Sequence, residues 1–173
     1  LIYEKTTGNP FFAIQFITAL AEEALLTFDY GAGQWSWDLN RIHAKGYTDN
    51  VVDLMVGKLS RLPSEAQNAL QQLACLGNSA EFAMLDMIYQ DSREEMHVQL
   101  WEAVRTGLVF RAEASYRFLH DRVQEAAHSL IPRELRAEAH LRIGRLLAAH
   151  TPPERLEEGI FEIVNQLNRG SSL

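Results

Sequence analysis

The feature that most constrains the fold of this chain is a series of helix start and stop signals over residues 63–119. Patterns of the form S-x-x-Q and S-x-x-E, beginning at Ser64 and Ser92, are typical capping boxes at helix starts. Gly77 and Gly107 are typical helix ends. After Gly107, two short apolar segments flank a polar tip, which predicts a hairpin. Together these signals predict helices over 64–76, 81–89 and 93–106, followed by a hairpin over 108–119.

Three helices followed by a hairpin are the element order of a winged helix, in which the hairpin is the wing. We therefore predict a winged-helix domain over 63–131. After it, helices are predicted over 121–130 and 133–149, and a last helix carries an apolar stripe. The stripe consists of Leu156, Ile160, Ile163, Val164 and Leu167. The last two helices predict an antiparallel helical hairpin that begins a repeat region over 132–173.

A second β-hairpin is predicted nearer the start of the chain. Apolar and polar residues alternate on both sides of the turn Gly31-Ala32-Gly33. The apolar positions are Leu26, Phe28, Tyr30, Trp35, Trp37 and Leu39. Two tryptophans on one face are compatible with a platform for sugar rings, but cross-strand packing against a helix is the commoner behaviour of strand aromatics. A helix from Pro10 to about Leu26 precedes the hairpin, a linker over 41–50 follows it, and a helix runs to Leu62. The fold class is mainly α with two short β-hairpins.

The charge pattern argues against nucleic acid and membrane as partners. The chain has 16 basic and 23 acidic residues, a formal net charge of −7, which repels phosphate backbones and anionic lipid. The would-be recognition helix over 93–105 has three acidic residues and two arginines, whereas a groove-reading helix needs a basic surface. These counts favour contacts with protein, within the same chain or in a partner.

Catalytic and metal-binding motifs are not recognisable in the sequence. Gly57-Lys58 is the one Gly-Lys pair and falls inside a predicted helix, so no phosphate-binding loop is present. The histidines considered as ligands are far apart in sequence: His43, His97, His128, His140 and His150. Cys75, the single cysteine, is expected to be an inert thiol on a buried helix face, and it fits a reducing, cytoplasmic setting. We predict no catalytic residue and no metal site, and the chain alone is not expected to be an enzyme.

Five short segments carry a resemblance when they are taken in order: KTTGNPFF at 5–12, VDLMVGKLSRLP at 52–63, LACLG at 73–77, GLV at 107–109 and YRFLHDRVQEAA at 116–127. In this order and spacing the chain resembles the STAND class of signal-transduction ATPases. In particular, it is similar to the AAA-type ATPase module of large bacterial multidomain kinases, where a Ser/Thr-kinase-like domain and a sensor histidine kinase flank the module.

The resemblance implies a layout of nucleotide-binding domain, small helical domain, winged helix and helical repeats. Residues 1–26 would be the last helix of the small helical domain, and 27–62 the hairpin, linker and connecting helix. The absence of an initiator methionine predicts a piece of a longer protein, whose upstream domain would bind ATP or ADP with magnesium. No cofactor is expected in the chain itself. Its partners would be that nucleotide-binding domain, other domains of the same chain, and a partner protein.

The resemblance also implies two nucleotide contacts. Gly8-Asn9-Pro10 matches a Gly-x-Pro motif that packs near the adenine, although Thr7 stands where a second glycine is expected. His120, just after the wing, matches a histidine that reaches the β-phosphate of ADP and holds the closed state. The alternatives are a simple helix start for the first motif, and a helix cap or a phosphate-accepting histidine for His120. The chain is thus interpreted as a nucleotide-dependent switch and interdomain module; the alternative is a scaffold that binds a partner protein without a nucleotide role.

Overall fold

The computed structural model describes residues 1–44, 46, 50–89 and 93–171. The protein is mainly helical, with two small antiparallel sheets, as the sequence predicts. It divides into two compact units, Leu1–Gly57 and Lys58–Leu173. Among the described residues, none of the helices has the length and apolar character needed to cross a membrane.

The first unit contains helices and one hairpin. Its elements are α1 (Ile2–Thr6), α2 (Pro10–Glu22), β1 (Leu26–Asp29), β2 (Gln34–Trp37), α3 (Leu39–Ala44) and most of α4 (Val51–Leu59). Gly57 and Lys58 lie inside α4, so their place in a helix is confirmed.

Helix α2 ends earlier than the apolar run predicts. Ala24 adopts a left-handed conformation with φ of 54°, which stops the helix. The Leu25 N–H then donates to the Leu20 carbonyl at 2.8 Å, and the Ala24 N–H to the Ala21 carbonyl at 3.1 Å. These are the two hydrogen bonds of a Schellman motif. The predicted extension to Leu26 was wrong because a left-handed alanine is not signalled by its sequence.

The predicted hairpin forms from β1 and β2, and its register places Phe28 opposite Trp35. The rings of these two residues lie 5.3 Å apart, edge to face, so cross-strand packing is confirmed. The expected packing of this face against a helix is not observed, because Trp35 is 54% exposed and Trp37 is 58% exposed. Within the described residues this aromatic face is exposed to solvent.

The predicted linker over 41–50 begins as helix α3. The Asp38 carboxylate accepts hydrogen bonds from the backbone N–H groups of Asn40 and Arg41, at 2.9 and 3.2 Å, and so caps the helix. Ile42 is buried on its inner face. The sequence analysis missed a short helix whose start signal is a single aspartate. Residues 45 and 47–49 of the predicted linker lie outside the described residues.

In the second unit, three helices and the three strands of a second sheet come first. The elements are α5 (Ser64–Leu76), β3 (Ser79–Glu81), α6 (Phe82–Ile88), α7 (Arg93–Arg105), β4 (Val109–Arg111) and β5 (Ser115–Phe118). The helices and the hairpin agree with the predicted positions. Strand β3 was not predicted; it pairs with β5, placing Ala80 opposite Tyr116 in a sheet of order β3-β5-β4. Three residues are too few to show a period-two pattern.

The capping box predicted at Ser64 does not form. Ser64 is the first residue of α5, and its hydroxyl donates to the Glu65 carboxylate at 3.0 Å. The Gln67 amide instead donates to the Leu62 carbonyl at 2.8 Å. Gln67 therefore ties the helix to the residues before Pro63. Ser92, the start of the second predicted box, lies outside the described residues.

Three further helices complete the unit: α8 (Asp121–Ser129), α9 (Arg136–His150) and α10 (Leu156–Gly170). Helices α9 and α10 approach closely at glycines, since a Cβ on Gly144 would lie 2.9 Å from Leu167 and one on Gly170 would lie 2.6 Å from Leu141. The buried face of α10 is Ile163, Gln166 and Gly170. The prediction that the apolar stripe forms the buried face of α10 was therefore partly wrong. The two helices approach so closely that small residues, rather than large apolar ones, fit between them. Leu156, Ile160 and Val164 are 39–44% exposed.

Candidate functional site

Gly8, Asn9 and Pro10 form one exposed turn between α1 and α2. Thr7 and Gly8 both have left-handed backbones, with φ of 49° and 78°. Asn9 then caps α2, its side-chain oxygen accepting from the Phe12 N–H at 3.2 Å, and Pro10 is the first helical residue. Thr7 thus occupies a conformation that glycine adopts without strain, which gives a physical reason for the glycine expected there.

His120 sits between β5 and α8, as predicted. Its backbone is extended and its Nδ1 accepts from the Arg122 N–H at 3.1 Å, so the imidazole caps α8. The same nitrogen contacts a carboxylate oxygen of Asp121. A neutral ring with its proton on Nε2 makes the cap, whereas a proton on Nδ1 exchanges the cap for the Asp121 contact. His120 belongs to the second unit, and the Gly8 turn belongs to the first.

A buried polar cluster that the sequence analysis missed lies in the second unit. It joins four helices through Cys75 on α5, His128 on α8, His140 on α9 and Gln166 on α10. Cys75, His140 and Gln166 are 2%, 4% and 0% exposed, and His128 is half-buried. The burial of Cys75 agrees with the sequence prediction. The one available signal for the rest was that His140 shares a helix face with Ile143 and Leu147, a face that is otherwise apolar.

The chain reversal between α8 and α9 positions the two histidines. Pro132 separates the helices, and the Arg136 guanidinium donates to the carbonyls of Ile131 and Ser129, at 3.0 and 3.3 Å. The Gln124 amide donates to the Ala74 carbonyl at 2.8 Å, which holds α8 against α5 beside Cys75. As a result the rings of His128 and His140 lie 5.2 Å apart.

The hydrogen bonds of the cluster fix its protonation states. His140 Nδ1 lies 2.6 Å from the Gln166 side-chain oxygen, which only accepts, so His140 carries its proton on Nδ1. His140 Nε2 is then an acceptor, and His128 Nε2, at 3.0 Å, donates to it. The Gln166 amide donates to the Cys75 carbonyl at 2.7 Å and to the Glu162 carboxylate at 2.6 Å. Among the described residues, no buried side-chain nitrogen or oxygen atom lacks a hydrogen-bond partner.

Burial disfavours the charged forms of His128 and Cys75. Desolvation, with smaller contributions from His140, Arg136 and Arg169, lowers the pKa of His128 to about 4. Burial raises the pKa of the Cys75 thiol to about 11, against the opposing effect of Arg142 and Arg169. At neutral pH the Cys75 thiol and the His128 imidazole are therefore uncharged, and their atoms are available as hydrogen-bonding groups and as metal ligands. The thiol is not an activated nucleophile.

A cleft of about 520 Å³ lies beside this cluster. Residues of α6, α9 and α10 line it, together with β3. Glu162 is shared by the two features, since it lines the cleft and accepts the hydrogen bond from Gln166. Arg155 and Glu81, which also line the cleft, form an ion pair of 3.8 Å. The buried chain of hydrogen bonds thus reaches the surface at Glu162.

The predicted recognition helix α7 presents apolar and acidic groups to solvent. Val98 is 72% exposed and Trp101 55%, and the Glu102 carboxylate pairs with Arg105 at 2.8 Å. Exposed tryptophan is typical of protein contacts. The absence of nucleic acid from the partners stays a prediction.

Comparison with known proteins relates the chain to part of a signalling protein. Hybrid signal transduction histidine kinase G of Dictyostelium discoideum is 27% identical over 226 aligned residues. The alignment covers all of this chain and 7% of that kinase. The chain is thus similar to one small section of a large kinase. No protein-family model and no solved structure matches the chain.

Proposed function

We propose that this chain is a nucleotide-dependent conformational switch and interdomain module of a multidomain cytoplasmic signalling protein. The observation that carries the proposal is the alignment of the entire chain with a section of a hybrid signal transduction histidine kinase. Because that section is 7% of the kinase, the module works beside other domains of the same polypeptide. In this proposal the ATPase and kinase activities belong to those domains.

The element order supports a winged helix as the body of the module. Helices α5, α6 and α7 and the hairpin of β4 and β5 follow in the order predicted for that domain, with strand β3 between α5 and α6. Helices α9 and α10 would then begin the helical repeats. The position of His120, directly after the hairpin and at a helix start, is where the STAND resemblance expects a contact with the ADP phosphate.

The test uses the longer protein, with hydrogen exchange measured over residues 1–173 in ADP and in a non-hydrolysable ATP analogue. The proposal expects slower exchange in ADP around residues 7–12 and 119–124, because those amides lie where the nucleotide contacts are proposed. Equal exchange in both nucleotides would contradict a switch.

A second candidate function is a scaffold for a partner protein, favoured by the exposed Val98 and Trp101 of α7. A scaffold without a nucleotide role predicts exchange that is independent of nucleotide. It also predicts that Trp101→Ala weakens binding of the partner protein.

A further inference from the structure

Three side chains with metal-binding atoms converge from three helices of the second unit. One ligand atom from each of Cys75, His128 and His140 lies within 4.8 Å of the other two. We propose that these three residues bind a divalent transition-metal ion, with Zn²⁺ as the ion that their chemistry selects. A thiolate and two imidazoles are ligands of Zn²⁺, whereas Mg²⁺ and Ca²⁺ require oxygen.

The spacing of the two imidazoles is close to that of a metal site. His128 Nε2 and His140 Nε2 are 3.0 Å apart, and two nitrogens on one tetrahedral Zn²⁺ are about 3.3 Å apart, given bonds of about 2.05 Å. The rings need to separate by only a few tenths of an ångström. His128 is half-buried and lies on a helix end next to the chain reversal, so it is the ring that moves.

His140 is already held as a ligand. Its Nδ1–H donates to Gln166 at 2.6 Å, which turns the Nε2 lone pair towards His128. Gln166 is itself held by the Cys75 carbonyl and the Glu162 carboxylate. A metal-binding histidine commonly donates its second N–H in this way, and the partner fixes the ring and raises its basicity.

Binding of the metal ion releases one proton in total. His128 moves its proton from Nε2 to Nδ1 and so offers Nε2 to the ion. The Cys75 thiol loses its proton to solvent and becomes the thiolate ligand. His140 keeps its Nδ1 proton. The fourth position is left to water, because the ligand group among the described residues contains only these three side chains.

The experiment titrates the chelator-treated chain with Zn²⁺, and separately with Co²⁺ as a spectroscopic probe. We expect one ion per chain, a higher melting temperature, and about one proton released per ion, measured calorimetrically in buffers of different ionisation enthalpy. Co²⁺ should give a thiolate-to-metal charge-transfer band. His128→Gln and Cys75→Ser should each weaken binding at least about tenfold, and Cys75→Ser should abolish the band.

His150→Gln is the matched control, since His150 lies on the same helix as His140 but is exposed and bonds the Leu146 carbonyl. It should bind as the unmodified chain does. His128→Gln is the variant expected to fold, because His128 is only half-buried; circular dichroism checks this for all three. Binding that is equal in Cys75→Ser, His128→Gln and His150→Gln, or no binding at micromolar ion, would overturn the proposal.

Discussion

His140 Nδ1 donates to the side-chain oxygen of Gln166 across 2.6 Å, and this bond joins α9 to α10 in the buried part of the second unit. Gln166 continues to the Cys75 carbonyl on α5 at 2.7 Å. One glutamine therefore links the terminal helical pair to the first helix of the unit. A buried polar group is costly when its partner is lost, so this joint fixes one arrangement of the helices.

The neutrality of His128 makes the stability of the metal-free chain depend on pH. Its pKa is lowered from 6.5 to about 4 in the folded state. Between these values the unfolded chain binds more protons than the folded one, so stability rises with pH. The stability that depends on a neutral His128 is fully present above pH 6.5 and is lost as the pH falls towards about 4.

Urea unfolding in chelator at several pH values measures this dependence. The groups facing His128 are His140 and Arg136 on α9, Arg169 on α10 and Cys75 on α5. His128→Gln removes the titrating group, so its stability should fall less over the same window. An unchanged slope in this variant would assign the pH dependence to other groups.

His120 has two separable roles to test. As the cap of α8, its replacement by alanine should cost about 1 kcal/mol of unfolding free energy in the chain. His120→Asn restores a capping oxygen and should keep most of that stability. The proposed phosphate contact predicts that, in the longer protein, both variants release ADP faster. If ADP dissociation is unchanged in both variants, His120 acts only as the cap of α8.

Because α9 and α10 cross closely at two glycines, Gly→Ala substitutions should have opposite effects on stability at the crossing and away from it. Gly170→Ala and Gly144→Ala should each destabilise the second unit by about 1–3 kcal/mol, since the new Cβ would meet Leu141 or Leu167 at 2.6 or 2.9 Å. Gly159→Ala on α10 meets Thr151 at an ordinary 3.6 Å. It should stabilise the helix by up to about 1 kcal/mol. Denaturant unfolding of the three variants and the unmodified chain measures these differences in stability. A destabilising effect of Gly159→Ala would contradict the prediction.

The left-handed Ala24 predicts a stabilising substitution. Ala24→Gly should raise the stability of the first unit by about 1 kcal/mol, because glycine adopts its φ of 54° without strain. Ala21→Gly, three residues earlier inside α2 and equally exposed, should cost about 1 kcal/mol. Hydrogen exchange of the α2 amides reports both. Equal effects of the two substitutions would show that Ala24 is not strained.

The sequence by itself determined the elements whose signals are local. Glycine stops placed the ends of α5 and α7, because backbone propensity acts locally. Period-two apolar spacing placed the first hairpin, and two apolar segments around a polar tip placed the second. The position of His120 at a helix start followed in the same way from the strand before it. The domain bounds and the nucleotide contacts of Gly8, Asn9 and Pro10 stay predictions.

Only the tertiary structure decided which distant residues meet. Cys75, His128 and His140 are separated by 53 and 12 positions in the sequence, and no spacing rule brings them together. Their meeting depends on how α5, α8 and α9 pack against one another in the folded chain. The same holds for the exposed aromatic face of the first hairpin. A period-two pattern shows that one face is apolar, but what covers that face is decided by the elements that pack nearby.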